Sequence, residues 1–339
     1  MSIGCRLCGN SNLISVLDLG ASPPCESFLS EEQLDEPEVT YPLHLRLCPD
    51  CLLLQIPALI TPEETFGSDY AYYSSCSTSW VEHARRFVDQ AVESLGLGPD
   101  SFVVEAAAND GYLLQHVMNR GIRCLGIEPS LNCSEAARDK GIPMLRAFLD
   151  EALAARVRDE HGPADLVVAN NVFAHIPDIT GFASGLRGLV AATGRISIEV
   201  HHALSLITAA QFDTIYHEHF QYWTVLAARH GLAAGGLKLV DVELLPTHGG
   251  SIRLWAVPED ADVAEHPRVA EVEAVERAAG LDGPEGYLGF AQRVAGIRDD
   301  LVSFLIEARR AGRRVVAYGA PGKGNTLLNY CGIRPDLLA

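Results

Sequence analysis

Four cysteines and one dense acid–base cluster are the places where this chain could do chemistry. Cys5-Arg-Leu-Cys8 and Cys48-Pro-Asp-Cys51 are two CxxC pairs in the first sixth of the sequence. Each places two sulfurs on a tight knuckle, and two knuckles can share one tetrahedral zinc at about 2.3 Å per bond. A redox dithiol would use a single pair on a strand-to-helix turn rather than two matched pairs flanking a loop-rich segment. With Cys5, Cys8, Cys48 and Cys51 all thiolates, no coordination position stays open, so the expected zinc is structural. Pro23-Pro24, Pro37 and Pro42 are expected to break regular structure here. So small a core would lean on the roughly 10–16 kcal/mol that a structural zinc supplies. Cys25, Cys76, Cys124, Cys133 and Cys331 have no partner at ligand spacing and are expected to be small buried residues.

The acid–base cluster is Phe212-Asp-Thr-Ile-Tyr216-His217-Glu218-His219-Phe220, which sets an imidazole, a carboxylate and a phenol within four residues. As a zinc site, His217 and His219 would face one side of a strand, but a third ligand is not obvious. A solvated surface would leave the flanking Phe212, Phe220, Tyr222 and Trp223 unexplained. A general base, His219, with Glu218 as its orienting carboxylate, fits a partly desolvated pocket. Upstream, Asn170-Asn171-Val-Phe-Ala-His175 puts a polar pair after an apolar run, which reads as ligand contact; His175 could instead cap the helix that follows.

The elements that must position these groups are legible as a rhythm. β-branched runs at 101–105, 122–128, 142–145, 165–170 and 195–200 alternate with helical stretches, which predicts a parallel sheet wound by crossovers. Strands at 237–245 and 251–257, joined by Pro-Thr-His-Gly-Gly, then predict an antiparallel hairpin. That is the layout of S-adenosylmethionine-dependent methyltransferases, and open α/β sheets bind ligands at the carboxyl ends of their strands. Glu105 ends the first strand and leads into the turn Asn109-Asp110-Gly111, which could also be an ordinary turn. Glu128 ends the second, where a carboxylate can accept both ribose hydroxyl protons. A nicotinamide fold could offer the same carboxylate, but its fingerprint needs more glycines, and Ala107 stands where the usual methyltransferase signature has one.

The chain of 339 residues is 48% hydrophobic and 21% charged, which is a globular composition. Its 26 basic and 44 acidic residues give a net charge of −18, which argues against broad binding to nucleic acid or anionic membranes. No apolar run approaches the roughly 20 residues of a membrane span, and no basic-then-apolar leader opens the chain. A cytoplasmic enzyme is expected. Neither repeats nor low-complexity segments are present, and the oligomeric state is not readable.

Several of these motifs, taken in order, resemble a known family: the three-domain C-methyltransferases of nucleotide-linked keto-deoxysugars in antibiotic pathways. The resemblance rests on the paired CxxC motifs, Tyr70-Ala-Tyr-Tyr-Ser-Ser75, Val104-Glu-Ala-Ala-Ala-Asn-Asp-Gly-Tyr-Leu113 within the first turn, Gly126-Ile-Glu-Pro-Ser130 and the Asn170–His175 stretch. It continues through the 212–219 cluster, His248-Gly-Gly-Ser251 and Tyr318-Gly-Ala-Pro-Gly-Lys-Gly-Asn325. It implies an N-terminal zinc-binding domain (1–75), a central class I methyltransferase domain with a Rossmann-like sheet (76–257) and a C-terminal α/β lobe (258–339) that is expected to be incomplete. S-adenosylmethionine (SAM) would be the methyl donor and a nucleotide-sugar the acceptor. His219 becomes the base that deprotonates the carbon beside the C4 ketone. Tyr216 and His175 become donors to the oxyanion, and Glu218 orients His219 or the sugar. Tyr70, Tyr72, Ser75 and His248 are expected at the sugar, and Lys323 near the diphosphate, with Arg253 as a second cation. In the lobe, helices at 271–280 and 287–310 and a strand at 313–319 running into a phosphate-cradling turn at 320–326 are predicted. Val200-His-His-Ala203 departs from the apolar-Pro sequence of relatives, so His201 or His202 is expected to reshape the acceptor pocket. The other readings are O- or N-methylation, epimerisation at the same carbon, or a non-catalytic zinc-stapled scaffold.

Overall fold

The structure is a computed structural model that describes residues 4–25, 27–67, 70–319 and 322–338. Three strands follow the first cysteine pair: β1 (Ile14–Ser22), β2 (Tyr41–Leu47) and β3 (Leu54–Gln55), which pair antiparallel. This corrects the expectation of a loop-rich segment with little core. Pro42 sits near the start of β2 opposite Ala21, a place where a missing N–H is tolerated. Alternate residues Leu43, Leu45 and Leu47 are fully buried. Helix α1 (Pro62–Phe66) opens on a capping box between Thr61 and Glu64.

Helix α2 (Thr78–Leu95), N-capped by Ser77, leads into the central sheet. Then come β4 (Phe102–Ala106), α3 (Leu114–Met118), β5 (Arg123–Ile127), α4 (Leu131–Asp139), β6 (Met144–Leu145), α5 (Glu151–His161), β7 (Ala164–Asn170), α6 (Ile179–Leu189) and β8 (Val190–His201). Every residue of β4 is buried, as expected of a strand covered on both faces. After α7 (Ala203–Thr208) the chain makes a two-residue strand, β9 (Gln221–Tyr222), then α8 (Val225–Ala234), β10 (Leu237–Leu245) and β11 (Ser251–Pro258). The large sheet runs β10-β11-β8-β7-β4-β5-β6, parallel except where β11 pairs antiparallel to both β8 and β10. This is the predicted wound sheet closed by a hairpin. β9 does not join it. It pairs with β3 instead, so the small sheet reads β1-β2-β3-β9 and takes its last strand from the middle of the chain.

Beyond β11 the described residues are helical: α9 (Pro267–Ala278), α10 (Phe290–Arg310) and α11 (Gly322–Cys331). Residues 313–319 are not the predicted strand. No strand among the described residues lies beside them, and Val316 and Tyr318 are exposed, so a β-branched run without a neighbour stays irregular. Of the predicted turn at 320–326, Ala320 and Pro321 lie outside the described residues and the rest forms the first turn of α11. No helix among the described residues is long and apolar enough to cross a membrane.

Candidate active site

A cavity of about 420 Å³ opens at the carboxyl ends of β4, β5, β7 and β8. Its walls hold Asn109, Glu128, Asn170 and Asn171 from the turns after the strands, the grouped His175, Tyr216, Glu218 and His219 toward the other end, and also Tyr70, Tyr72, His248 and Lys323. Glu128 is held in place by the backbone around it. Its Oε2 accepts the Asn109 backbone N–H and its Oε1 that of Ser130, both at 2.9 Å, so the carboxylate is fixed with lone pairs to spare. Burial holds its pKa above the usual carboxylate range. The Asn109 side chain accepts from Ser74 N (2.9 Å) and donates to the Tyr72 carbonyl (3.1 Å), and Asn132 brackets Tyr70 in the same way. These clamps fix the backbone of Tyr70 and Tyr72 against the turn that holds Glu128, while the Tyr70 ring packs edge-on to Phe66 at 4.9 Å between centroids, and Phe66 in turn meets His175 at 5.5 Å.

Four expected contacts do not form the cavity wall. Glu105 is fully buried beside Tyr112, and burial raises its pKa well above the ordinary range. Asp110 is occupied by Ser75, whose hydroxyl donates to it, and by Lys140 Nζ at 3.3 Å. That pairing withdraws Ser75 as well, and its neighbour Ser74 lines the cavity instead. Gly111 has φ +76°, and a Cβ there would fall 2.3 Å from Ile142 Cδ1, so glycine serves close packing at this position.

At the other end, residues 216–219 form a turn, not a strand. His217 Nε2 bonds the Tyr41 carbonyl at 3.1 Å, away from His219, so the two rings do not chelate together. His219 Nδ1 lies 3.0 Å from the Thr214 carbonyl, which can only accept; Nδ1 therefore carries the hydrogen, and Nε2 keeps its lone pair 2.9 Å from the Tyr216 hydroxyl. The carbonyl of Thr214, not the carboxylate of Glu218, orients the ring. Glu218 accepts from the buried Cys25 thiol at 3.4 Å. Burial pushes the pKa of His219 well below the usual imidazole range, helped by His175, His201 and Lys323. His175 lies edge-on at 4.8 Å between ring centroids, and burial holds it at about 4.

His248 is inclined to Trp80 and within 3.5 Å of Asn171. His201 faces the cavity and bonds Gln211 Oε1 at 2.8 Å, whereas His202 turns away to the buried Glu276 at 2.7 Å, so only the first can shape the pocket. Arg253 is not a ligand group. It is buried, paired to Glu199 at 2.7 Å and stacked over Phe87. In the zinc domain the four sulfurs of Cys5, Cys8, Cys48 and Cys51 all lie within 4.8 Å of one another, with Cys5–Cys51 at 3.5 Å and Cys8–Cys48 at 3.4 Å. A tetrahedron of 2.3 Å Zn–S bonds has edges of about 3.8 Å, so the donor set fits zinc. Among the other cysteines, Cys76 is exposed, contrary to expectation, while Cys25, Cys124, Cys133 and Cys331 are buried.

Three sequence families match successive parts of the chain: "Putative zinc binding domain" over residues 5–66, a methyltransferase domain over 80–242 and a C-methyltransferase C-terminal domain over 246–339. The chain is also similar to C-methyltransferase NovU of Streptomyces niveus, at 35% identity over 329 residues, which is 97% of this chain and 78% of NovU. The chain belongs to the C-methyltransferase family. It is a SAM-dependent C-methyltransferase with an N-terminal zinc-binding domain. Solved structures are similar at lower identity. Magnesium protoporphyrin IX methyltransferase from Synechocystis PCC 6803 with bound SAM shares 18% over 53% of this chain and 81% of that one, with TM-score 0.39. A SAM-dependent methyltransferase from Clostridium acetobutylicum shares 12% over 52% and 92%, with TM-score 0.42.

Sequence reasoning about this C-methyltransferase missed Thr214, Asn132, Ser74 and Trp80. Thr214 acts through its carbonyl, so its side chain carries no signal. Asn132 lies inside α4 beyond the quoted motif at 126–130, Ser74 belongs to the quoted motif at 70–75 but was passed over for its neighbour Ser75, and Trp80 lies outside every quoted motif.

Proposed function

We propose that this C-methyltransferase acts on a nucleotide-linked 4-keto-deoxysugar, with His219 removing the proton from the carbon beside the ketone. The observation that carries this reading is the fixed tautomer of His219, a neutral imidazole whose bare Nε2 faces the cavity beside a phenol. A carbon acid beside a ketone yields to such a base only when the developing oxyanion is stabilised. Tyr216 supplies the donor nearest to Nε2, and His175 borders the same space. As the sugar enters, the Tyr216 O–H turns from Nε2 to the ketone oxygen; Nε2 takes the carbon proton, and the electron pair of that C–H bond passes into the enolate. Glu128, Asn109 and Asn170 hold the methyl donor, with the 70–74 segment closing over it. SAM supplies, when bound, a methyl group on a positive sulfur that needs no further activation. Lys323, in the first turn of α11 and near His201, His219 and His248, is the cation for a diphosphate. The matches to a C-methyltransferase C-terminal domain and to C-methyltransferase NovU support transfer to carbon.

The test is methyl transfer from carbon-labelled SAM to a panel of TDP-4-keto-deoxysugars, with the labelled position located by NMR. Label on the carbon next to the ketone, abolished in His219→Asn with SAM binding unchanged, is the expected result. Label on oxygen or nitrogen, or full activity in His219→Asn, would overturn the reading.

A further inference from the structure

Arg6 stands between the two cysteines of the first zinc knuckle, yet its guanidinium leaves the knuckle and crosses to the segment just beyond His219. Nη1 donates to the Phe220 carbonyl and, at 3.0 Å, to Gln221 Oε1; Nη2 donates to the Ile56 carbonyl. The guanidinium also lies 5.6 Å from the Phe220 ring centre, and the Arg6 backbone N–H donates to Gln55 Oε1 at 3.2 Å. Gln221 is fully buried, and its Nε2 donates to the carbonyls of Phe173 (2.7 Å) and Ile176 (2.8 Å). Those two carbonyls bracket His175. Between them, the Ala174 carbonyl accepts from Phe220 N at 2.8 Å. With both its amide hydrogens committed, Gln221 can meet Arg6 only through Oε1, so the amide orientation is fixed. One guanidinium and one amide therefore tie the backbone on both sides of His175 to the residues that follow His219.

We propose that Arg6 is a positioning residue for proton transfer: acting through Gln221 and the Phe220 carbonyl, it holds the His175 and His219 rings in their edge-on arrangement and makes the zinc knuckle part of the machinery that sets their geometry. This rests on His219 being the base. Removing Arg6 strands the buried Gln221 Oε1 and loosens the Phe220 carbonyl, both on the 172–176 and 214–221 side of the cavity. The cofactor wall at Glu128 and Asn109 has no bond to Arg6 among the described residues and is left intact.

The experiment compares Arg6→Ala and Arg6→Lys with the parent protein for zinc content, SAM affinity, kcat and KM for the sugar that the parent methylates, and backbone deuterium uptake. The expected result for Arg6→Ala is one zinc per chain, SAM affinity within about two-fold and kcat down about 100-fold with KM little changed, since a shift near 1 Å costs that much. Uptake should rise at 172–177 and 214–222 but not at 102–132, and dilute guanidinium chloride should restore part of kcat, which a general loss of stability would not allow. Parent-like kcat and uptake in both variants would overturn the proposal, as would a fall in kcat that only follows loss of zinc and SAM binding. If Arg6→Ala does not fold, Arg6→Lys is judged by the same criteria. If His219→Asn keeps full activity, the base assignment fails, and with it this proposal; if that variant is dead while both Arg6 variants match the parent, only this proposal fails.

Discussion

His219 shows how one carbonyl and a dry wall can tune an imidazole. The Thr214 carbonyl fixes the tautomer, and burial first of all, with Lys323 nearby, keeps the ring unprotonated. Because the folded-state pKa is lowered, the base form is present at neutral pH and is lost only as pH falls through that lowered value. The acid limb of kcat should accordingly lie well below pH 6.5, the ordinary imidazole midpoint. A pH profile of single-turnover methylation checks this, and a limb centred near 6.5 would contradict it. The cavity wall also holds four non-glycine residues in the left-handed region: Ala107, Asn109, Asn171 and His248, with φ between +48° and +56°. Such conformations cost of order 1–3 kcal/mol each and collect where a site fixes its backbone. Ala107 explains its own oddity: the backbone there asks for glycine, and the alanine bears the strain. At this scale the place of Glu128 and Asn109 on the cavity wall was legible from polar residues after apolar strand ends, and that of His219 from the density of ionisable groups around it. Asp110 and Ser75 are absent from the cavity wall for a reason that sequence does not reveal: they bond each other, and Asp110 also holds Lys140.

Among the elements, the strands of the large sheet were legible within a residue or two, apart from the earlier start of β8, because runs buried on both faces are unlike anything around them. The small sheet was hidden by its prolines, since nothing in the sequence says that Pro42 falls at a tolerant ladder position. The run at 313–319 misled in the other direction, because β-propensity without a partner strand makes no strand. Gly111 shows how tightly the first turn is set against the β6 approach. Gly111→Ala should destabilise the protein by about 2–4 kcal/mol, combining the left-handed penalty with the clash on Ile142. Chemical denaturation measures this, and adding Ile142→Ala should remove less than the whole effect, because the backbone part remains.

Across the whole molecule, the zinc domain and the central sheet are joined at the site itself, and α9 is locked on by Glu276, which accepts from Val225 N, Leu226 N and His202. Stripping the metal with a strong chelator should remove much of the roughly 10–16 kcal/mol that such a centre contributes and unfold β1–β3. Calorimetry of the stripped protein should then lack the small sheet's share of the unfolding heat while the central sheet still melts cooperatively and binds SAM; an unchanged transition after verified zinc loss would refute this. That a cysteine cluster precedes the wound sheet was legible from the spacing of the cysteines and the strand rhythm, but the joint between the two sheets was not, because a two-residue strand has no periodicity. That joint also bears on how the chain is made. Gln55 finds its partner Gln221 only after on the order of 160 further residues have been synthesised, which at ribosomal speed is about 10–30 s. Through that interval the nascent N-terminal sheet would have an open edge at β3, and the four cysteines, all made by residue 51, are in place to take up zinc long before its last strand arrives.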